Sequence, residues 1–428
     1  MSVSMSRADR HPAAILLAMI LMLGAVLAAA PPTAANHGGT DPVRFATFNA
    51  SLNRSSAGQA KADLSTPNNA QASAVAEIIQ RVRPEVLLIN EFDFEANNEL
   101  ATLFQENYLS VSHNGTEPID YPFVFVAESN TGIPSGFDLS NDRVVGGPND
   151  AFGFGFFPGQ FGMAVFSQHP ILSDDIRTFQ KFLWKDMPGA LLPDDPATTA
   201  PADWYSQAEL EIFRLSSKSH WDVPIDVNGE VIHFLVSHPT PPVFDDPPFF
   251  PAGVDFNGRR NFDEIRLWAD YVTPGAGGYI YDDAGTFGGL PDDASFVIAG
   301  DQNSDPRDGD SIPGAIQQLI DNPRVNASHT PSSEGAKEAS ELQGLANDVH
   351  RSNPRFDTAD FADTAPGNLR ADYVLPSRGL PILGSAVFWP VQADELLFRL
   401  TGVFPFPSSD HRLVWVDVRL PGGAGHND

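Results

Sequence analysis

Ala72-Ser73-Ala74-Val75-Ala76-Glu77-Ile78-Ile79-Gln80-Arg81-Val82-Arg83-Pro84-Glu85-Val86-Leu87-Leu88-Ile89-Asn90-Glu91 is the stretch that decides the fold. Ala72, Val75, Ala76, Ile78, Ile79 and Val82 recur at the spacing of one helix face, and Pro84 predicts that the helix stops before it. Val86 to Ile89 is an unbroken apolar run too short for a helix, so it predicts a buried strand, with Glu91 just past its end. Upstream, Val43-Arg44-Phe45-Ala46-Thr47-Phe48 is rich in β-formers and ends at Asn49. The order strand, helix, strand opens an α/β (α+β) chain.

Downstream the same grammar repeats. Gly162-Met163-Ala164-Val165-Phe166-Ser167, Val231 to Ser237, Phe296 to Ala299, Tyr373-Val374-Leu375 and Leu413 to Val416 predict strands. Phe262, Ile265, Trp268, Ala269 and Val272 predict a second helix. One domain of mixed sheets with helices outside is expected over residues 40–420. Long irregular insertions interrupt it at 129–160, 185–222, 241–258 and 323–365. They are rich in Pro, Gly, Phe and Asp, and loops of that length are usually functional or disordered.

Polar groups gather at the ends of these runs, which is where layered α/β proteins build sites. Glu91 offers a carboxylate to a hard cation such as Mg²⁺. Asp301 and Asn303, two apart after a buried run, can hold a water and a phosphoryl oxygen together. His411 titrates near neutrality and Asp372 can fix its tautomer, leaving Asp410 to ligate metal. His238 is a second imidazole after a strand. Each residue alone also has an ordinary structural reading. A calcium loop over Asp301 to Asp305 fails, because Pro306 stands where glycine is needed and no Glu closes it.

In order, Phe45-Ala46-Thr47-Phe48-Asn49, Asn90-Glu91, Gly162 to Ser167, Val236-Ser237-His238, Gly300-Asp301-Gln302-Asn303, Arg370-Ala371-Asp372-Tyr373 and Ser409-Asp410-His411 resemble the endonuclease/exonuclease/phosphatase family, the DNase I-like superfamily. The resemblance covers most of the chain after residue 40. It implies a four-layer sandwich, two central sheets with helices outside. It implies Glu91 as main metal ligand with Asn49 and Asp410 beside the metal, and Mg²⁺ as cofactor, with Mn²⁺ or Ca²⁺ as alternatives. It further implies Asp301 and Asn303 as the pair aligning water and phosphate, and His411 with Asp372 as a catalytic dyad. His238 falls where the family has a second His or a Tyr. Asn90 stands where Gln is common and Gln302 where an apolar residue is common. The implied reaction is hydrolysis of a phosphate ester by direct attack of water, with either Asp301 or His411 as base.

Composition narrows the substrate. The formal charge is -29, and only five residues are lysine. Such a chain repels a nucleic-acid backbone on average, so nucleic acid is expected, if at all, only as a substrate. A small phosphate mono- or diester ranks first, nucleic acid second and phospholipid third. Phe249 and Phe250 in the 241–258 insertion either meet a lipid surface, as hydrophobic hairpins do in the sphingomyelinase branch, or pack on the core edge. Arg259, Arg260, Arg351 and Arg355 are the candidates for gripping a substrate phosphate. A non-catalytic binding module on the same fold is the contrasting reading, disfavoured because all the polar groups are present. No protein partner is inferable.

Residues 1–35 carry basic Arg7 and Arg10, an apolar Ala13 to Ala30, and small residues at Thr33-Ala34-Ala35. That pattern predicts an export signal and a secreted or periplasmic protein, the alternative being an N-terminal membrane anchor. The chain has no Cys, so no disulfide supports it.

Overall fold

A computed structural model describes residues 42–421 except 248–249. The expected export signal and Phe249 lie outside the described residues. Among the described residues, no helix is long and apolar enough to cross a membrane.

In chain order the strands are β1 (Val43–Asn49), β2 (Val86–Asn90), β3 (Phe123–Phe125), β4 (Met163–Ser167), β5 (Arg177–Thr178), β6 (His220–Val227) and β7 (Glu230–Ser237). Then come β8 (Ser295–Asp301), β9 (Ala359–Asp360), β10 (Asn368–Leu369), β11 (Asp372–Pro376), β12 (Ile382–Val387) and β13 (Val414–Val418). One sheet runs β12-β13-β1-β2-β4-β3, the other β11-β8-β7-β6-β5, and β9 pairs with β10 as a small ribbon.

The apolar runs are continuous because both faces of each central strand are buried. Along β2, Val86 and Leu88 enter the core between the sheets, while Leu87 and Ile89 pack outward. Along β8, Val297 and Ala299 face inward and Phe296 and Ile298 outward. The outward face of the first sheet is covered by the helix Ala70–Val82 through Val75, Ile78 and Ile79. The helix Phe256–Val272 covers the second through Ile265, Trp268 and Val272. These four layers, helix, sheet, sheet, helix, are the expected sandwich. Each fully buried Ile, Leu or Phe contributes ~1.5–3 kcal/mol.

The helix Ala70–Val82 begins where the side chain of Asn69 accepts from Ala72 N at 2.9 Å, one of the orphan amides of a helix start. It ends at Arg83, φ 56°, ahead of Pro84.

The insertions are more structured than their composition implies. The 185–222 segment runs into β6 and buries Trp204, Tyr205, Phe213 and Leu215 in the outer core. The 323–365 segment holds the helix Glu334–Gln343 and β9, and the 241–258 segment runs into the helix Phe256–Val272. Their aromatic residues supply apolar area that a solvated loop lacks. Phe250 is one of these, packing edge-on against Phe256 with ring centroids 4.9 Å apart. The core-edge reading therefore holds for Phe250.

Candidate active site

Two parallel pairs bring the polar residues together. β1 lies parallel to β2 with Asn49 beside Asn90, and β7 lies parallel to β8 with Val236 beside Ala299. Parallel neighbours end on the same side, so Asn49, Glu91, His238 and Asp301 emerge together. β11 runs antiparallel to β8 with Asp372 directly opposite Asp301.

Asn90 joins the two sheets at this edge. Its Oδ1 accepts from Asp301 N at 3.2 Å and its Nδ2 donates to the Ser237 carbonyl at 3.3 Å. The same carbonyl fixes the glycine at 300, where a Cβ would lie 2.0 Å from Ser237 O and φ is 147°. Glu91 and Asn303 both sit in the left-handed region, φ 56° and 50°. That region turns the chain sharply away from the sheet and is uncommon outside Gly and Asn.

Asp301 is the hub. Its Oδ2 accepts from Asn49 Nδ2 at 3.0 Å and lies 3.3 Å from His238 Nε2 and 3.6 Å from His411 Nε2. Its Oδ1 accepts from Asn303 N at 2.9 Å. Burial alone raises a carboxyl's pKa, but His411, His238 and Asn49 together hold Asp301 well below the usual carboxylate range.

His411 Nδ1 lies 2.8 Å from Asp372 Oδ2. Burial lowers a histidine's pKa, yet the carboxylates of Asp372, Asp301 and Asp410 outweigh it and lift His411 well above its ordinary value. Asp372 itself is pushed up to about 6, because loss of water outweighs the attraction of His411. Its Oδ2 also accepts from Thr358 Oγ1 at 2.8 Å, and that hydroxyl in turn accepts from Ala371 N and Asp372 N. His238 goes the other way. Burial, then the nearby charge of Lys218, lowers it to about 4, and its Nδ1 is buried without a partner.

Glu91 and Asp410 form a second carboxylate group. Asn49 Nδ2 donates to Glu91 Oε1 at 3.1 Å, and Ser51 Oγ donates to Asp410 Oδ1 at 3.3 Å. Burial and then the charge of Asp410 push Glu91 up to about 7. A buried carboxylate whose proton affinity is raised by a second carboxylate nearby suits a hard divalent cation. A tighter group, Asp301, Asp372 and His411, has ligand atoms within 4.8 Å of one another. It suits a metal less well, because a histidine raised far above its usual range already supplies a positive charge there. The sequence motifs make Asn49 a metal neighbour. Its oxygen faces Ser51 N at 3.3 Å, while its nitrogen bridges Glu91 and Asp301. Asn49 thus bridges the two groups.

Three of the four arginines expected to grip phosphate have their guanidinium groups engaged elsewhere. Arg260 is buried, and its guanidinium donates to the carbonyls of Leu215, Phe152 and Arg214. Arg259 donates to Leu192 O at 3.3 Å. Arg355 pairs with Glu334 at 2.6 Å, and Arg351 is exposed, with its backbone on Asp308. A buried cation near the site, Lys218, was missed in the sequence. It is 7 % exposed. Burial lowers its pKa, opposed by the charges of Glu264, Glu91 and Asp301. Thr358 was missed as well, since it lies in an irregular insertion.

The sequence pattern of the Endonuclease/Exonuclease/phosphatase family matches residues 46–411, a span that includes every residue of this site from Asn49 to His411. Among solved structures, an endonuclease/exonuclease/phosphatase from Beutenbergia cavernae is similar at 16% identity, covering 89% of this chain and 72% of that one, with a TM-score of 0.47. The human nocturnin catalytic domain with bound sulfate is similar at 13% identity, over 89% and 96% of the two chains, TM-score 0.42. A mutant beta toxin from Staphylococcus aureus with bound magnesium ions is similar at 14% identity, over 88% and 99%, TM-score 0.39. No curated protein matches the chain. With most of its length and its whole site inside the family match, the chain belongs to the endonuclease/exonuclease/phosphatase family, whose members are hydrolytic phosphoesterases that typically depend on a divalent metal.

Proposed function

We propose that this protein is an exported, divalent-metal-dependent phosphoesterase that hydrolyses a small phosphate mono- or diester by direct attack of water. The observation that carries the reading is the convergence on Asp301 Oδ2 of three nitrogens, from Asn49, His238 and His411. A carboxylate held ionised at that point can orient a water whose attack is in line with a bound phosphate.

In this reading Glu91 and Asp410 hold the cation, with Mg²⁺ the first candidate and Mn²⁺ or Ca²⁺ next. When bound, such a cation offsets charge on the nonbridging phosphate oxygens. Asp301 and Asn303 align water and phosphate. His411, fixed by Asp372, presents a protonated Nε2 to the reacting group and stabilises or protonates a phosphoryl oxygen. His238 donates from Nε2 to Asp301, and Lys218 adds a buried positive charge beside the phosphate. Export rests on the N-terminal sequence pattern alone.

A small ester is favoured over nucleic acid because, among the described residues, no row of exposed cations leads to the site, whereas a polyanion needs one. Hydrolysis of bis-p-nitrophenyl phosphate and p-nitrophenyl phosphate by the purified protein, with Mg²⁺, Mn²⁺ or Ca²⁺ and then EDTA, tests this. Turnover of either that EDTA abolishes supports the proposal, and which ester is cut assigns mono- or diesterase. Turnover unaffected by EDTA, or by His411→Ala in a folded protein, would sink it.

A further inference from the structure

We infer that Glu264, on the helix behind the site, is a positioning residue for the reaction, fixing where Lys218 and His238 stand relative to each other. Glu264 is fully buried in the helix Phe256–Val272. A glutamate there is costly to bury unless its charge and both oxygens find partners. Both do. One oxygen accepts from Ser217 N at 2.5 Å and the other from Thr240 N at 2.6 Å. Ser217 directly precedes Lys218, and Thr240 lies two residues past His238.

One side chain therefore clamps two separate segments, each carrying a charged or titratable group of the site. Its charge also stands near the Lys218 ammonium and the Arg260 guanidinium. The next residue group on the helix extends the clamp. Asn261 Nδ2 donates to Thr240 O at 2.8 Å and to Gln302 O at 2.9 Å, tying in the Asp301–Asn303 segment. Asn303 Nδ2 returns to Pro239 O at 3.1 Å. The helix thus holds three loops in register through acceptors and donors matched to each.

The chemistry requires a carboxylate here. Two N–H donors converge on one side chain, and only a carboxylate has an acceptor at both positions. An amide of the same shape turns its NH₂ toward one of them. That leaves a buried donor opposed by another donor and lets one segment shift. A misplacement of about 1 Å at a reacting group costs up to ~10²-fold in rate.

This inference rests on the phosphoesterase reading, and the experiment separates the two. Metal-dependent hydrolysis of bis-p-nitrophenyl phosphate, or of the monoester if that is the better substrate, is measured for five proteins: wild type, Glu264→Gln, Lys218→Ala, the double variant and His411→Ala. Glu264→Gln is expected to lower kcat about 10–100-fold with the half-saturating metal concentration unchanged. In the Lys218→Ala background the same change is expected to cost at least ~3-fold less, because part of what Glu264 positions is gone. Equal costs in both backgrounds would assign Glu264 a purely structural role and overturn the inference, as would undiminished kcat in folded Glu264→Gln. If Glu264→Gln does not fold, Glu264→Asp takes its place in the cycle, since it keeps the charge and both acceptors and loses only reach. Loss of turnover in His411→Ala alongside an uncoupled cycle would remove the positioning role alone. Full turnover in His411→Ala would remove the phosphoesterase reading itself.

Discussion

At the edge of the first sheet, Glu91 and Asp410 meet with amide and hydroxyl donors as their hydrogen-bond partners. At the edge of the second, Asp301 and Asp372 are bound to the rings of His238 and His411. The contrast is electrostatic. The second group carries its own counter-charge, so Asp301 stays ionised and His411 stays protonated. Among the described residues the first group has no cation in ion-pair contact, and Glu91 is driven up to about 7. In the proposed reading the two halves divide the labour, the first holding a cation and the second handling proton and water. Asn49, with one nitrogen touching both Glu91 and Asp301, is the hinge between the halves.

The largest effect should come from breaking the compensated half. His411→Ala removes the one imidazole that touches both Asp372 and Asp301, and kcat should fall at least ~10²-fold, towards 10³. Initial rates at saturating metal measure it, and a folded variant within 10-fold of wild type would contradict the role. Glu91→Gln attacks the other half. There the half-saturating metal concentration should rise ~10–100-fold while kcat at saturating metal falls less. If instead His411→Ala shifted the metal requirement and Glu91→Gln did not, the division between halves would be wrong.

A smaller effect should follow from loosening Asp372. Thr358→Val removes the hydroxyl that donates to Asp372 Oδ2 and strands the amides of Ala371 and Asp372. Losing one hydrogen bond to a charged group predicts about a 10-fold fall in kcat. Thr358→Ser keeps the hydroxyl and should stay within about 2-fold. Equal losses in both variants would mean that the methyl group, and not the hydrogen bond, matters.

The two halves were not equally legible in the sequence. Strands β2 and β8 announce themselves because burial on both faces leaves an unbroken apolar run, and Glu91 and Asp301 follow directly on those runs. Asp372 and His411 are legible because each adjoins a strand start. Lys218 is not, although it is one of five lysines. It stands among Ser216, Ser217 and Ser219, and only the packing of distant segments buries it, as when Asn130 N donates to Lys218 O at 2.8 Å. Arg260 misleads for the converse reason. It reads as a surface arginine ahead of an apolar stripe, yet Arg260, Glu264 and Trp268 share one face at four-residue spacing, and that face points inward. The orientation of the Asn49 amide is a property of its partners and no pattern of residues encodes it.

The subtlest test concerns stability, and its sign follows from the uncompensated half. The folded value of Glu91, about 7, lies above its ordinary 4.5. Between those two values the native side chain holds a proton that the unfolded chain has released. Stability from this group is therefore full below about 4.5, falls as pH rises through that window, and levels off above about 7. Glutamine mimics the protonated form at every pH. In the absence of metal, Glu91→Gln should melt at the same temperature as wild type near pH 4.5 and about 2 °C higher at pH 8. Adding Mg²⁺ at pH 8 should reverse the order, because the cation stabilises only the protein that can bind it well. A variant that melts lower than wild type at pH 8 without metal would show that Glu91 already has its counter-charge within the chain, and the asymmetry between the two sheet edges would disappear.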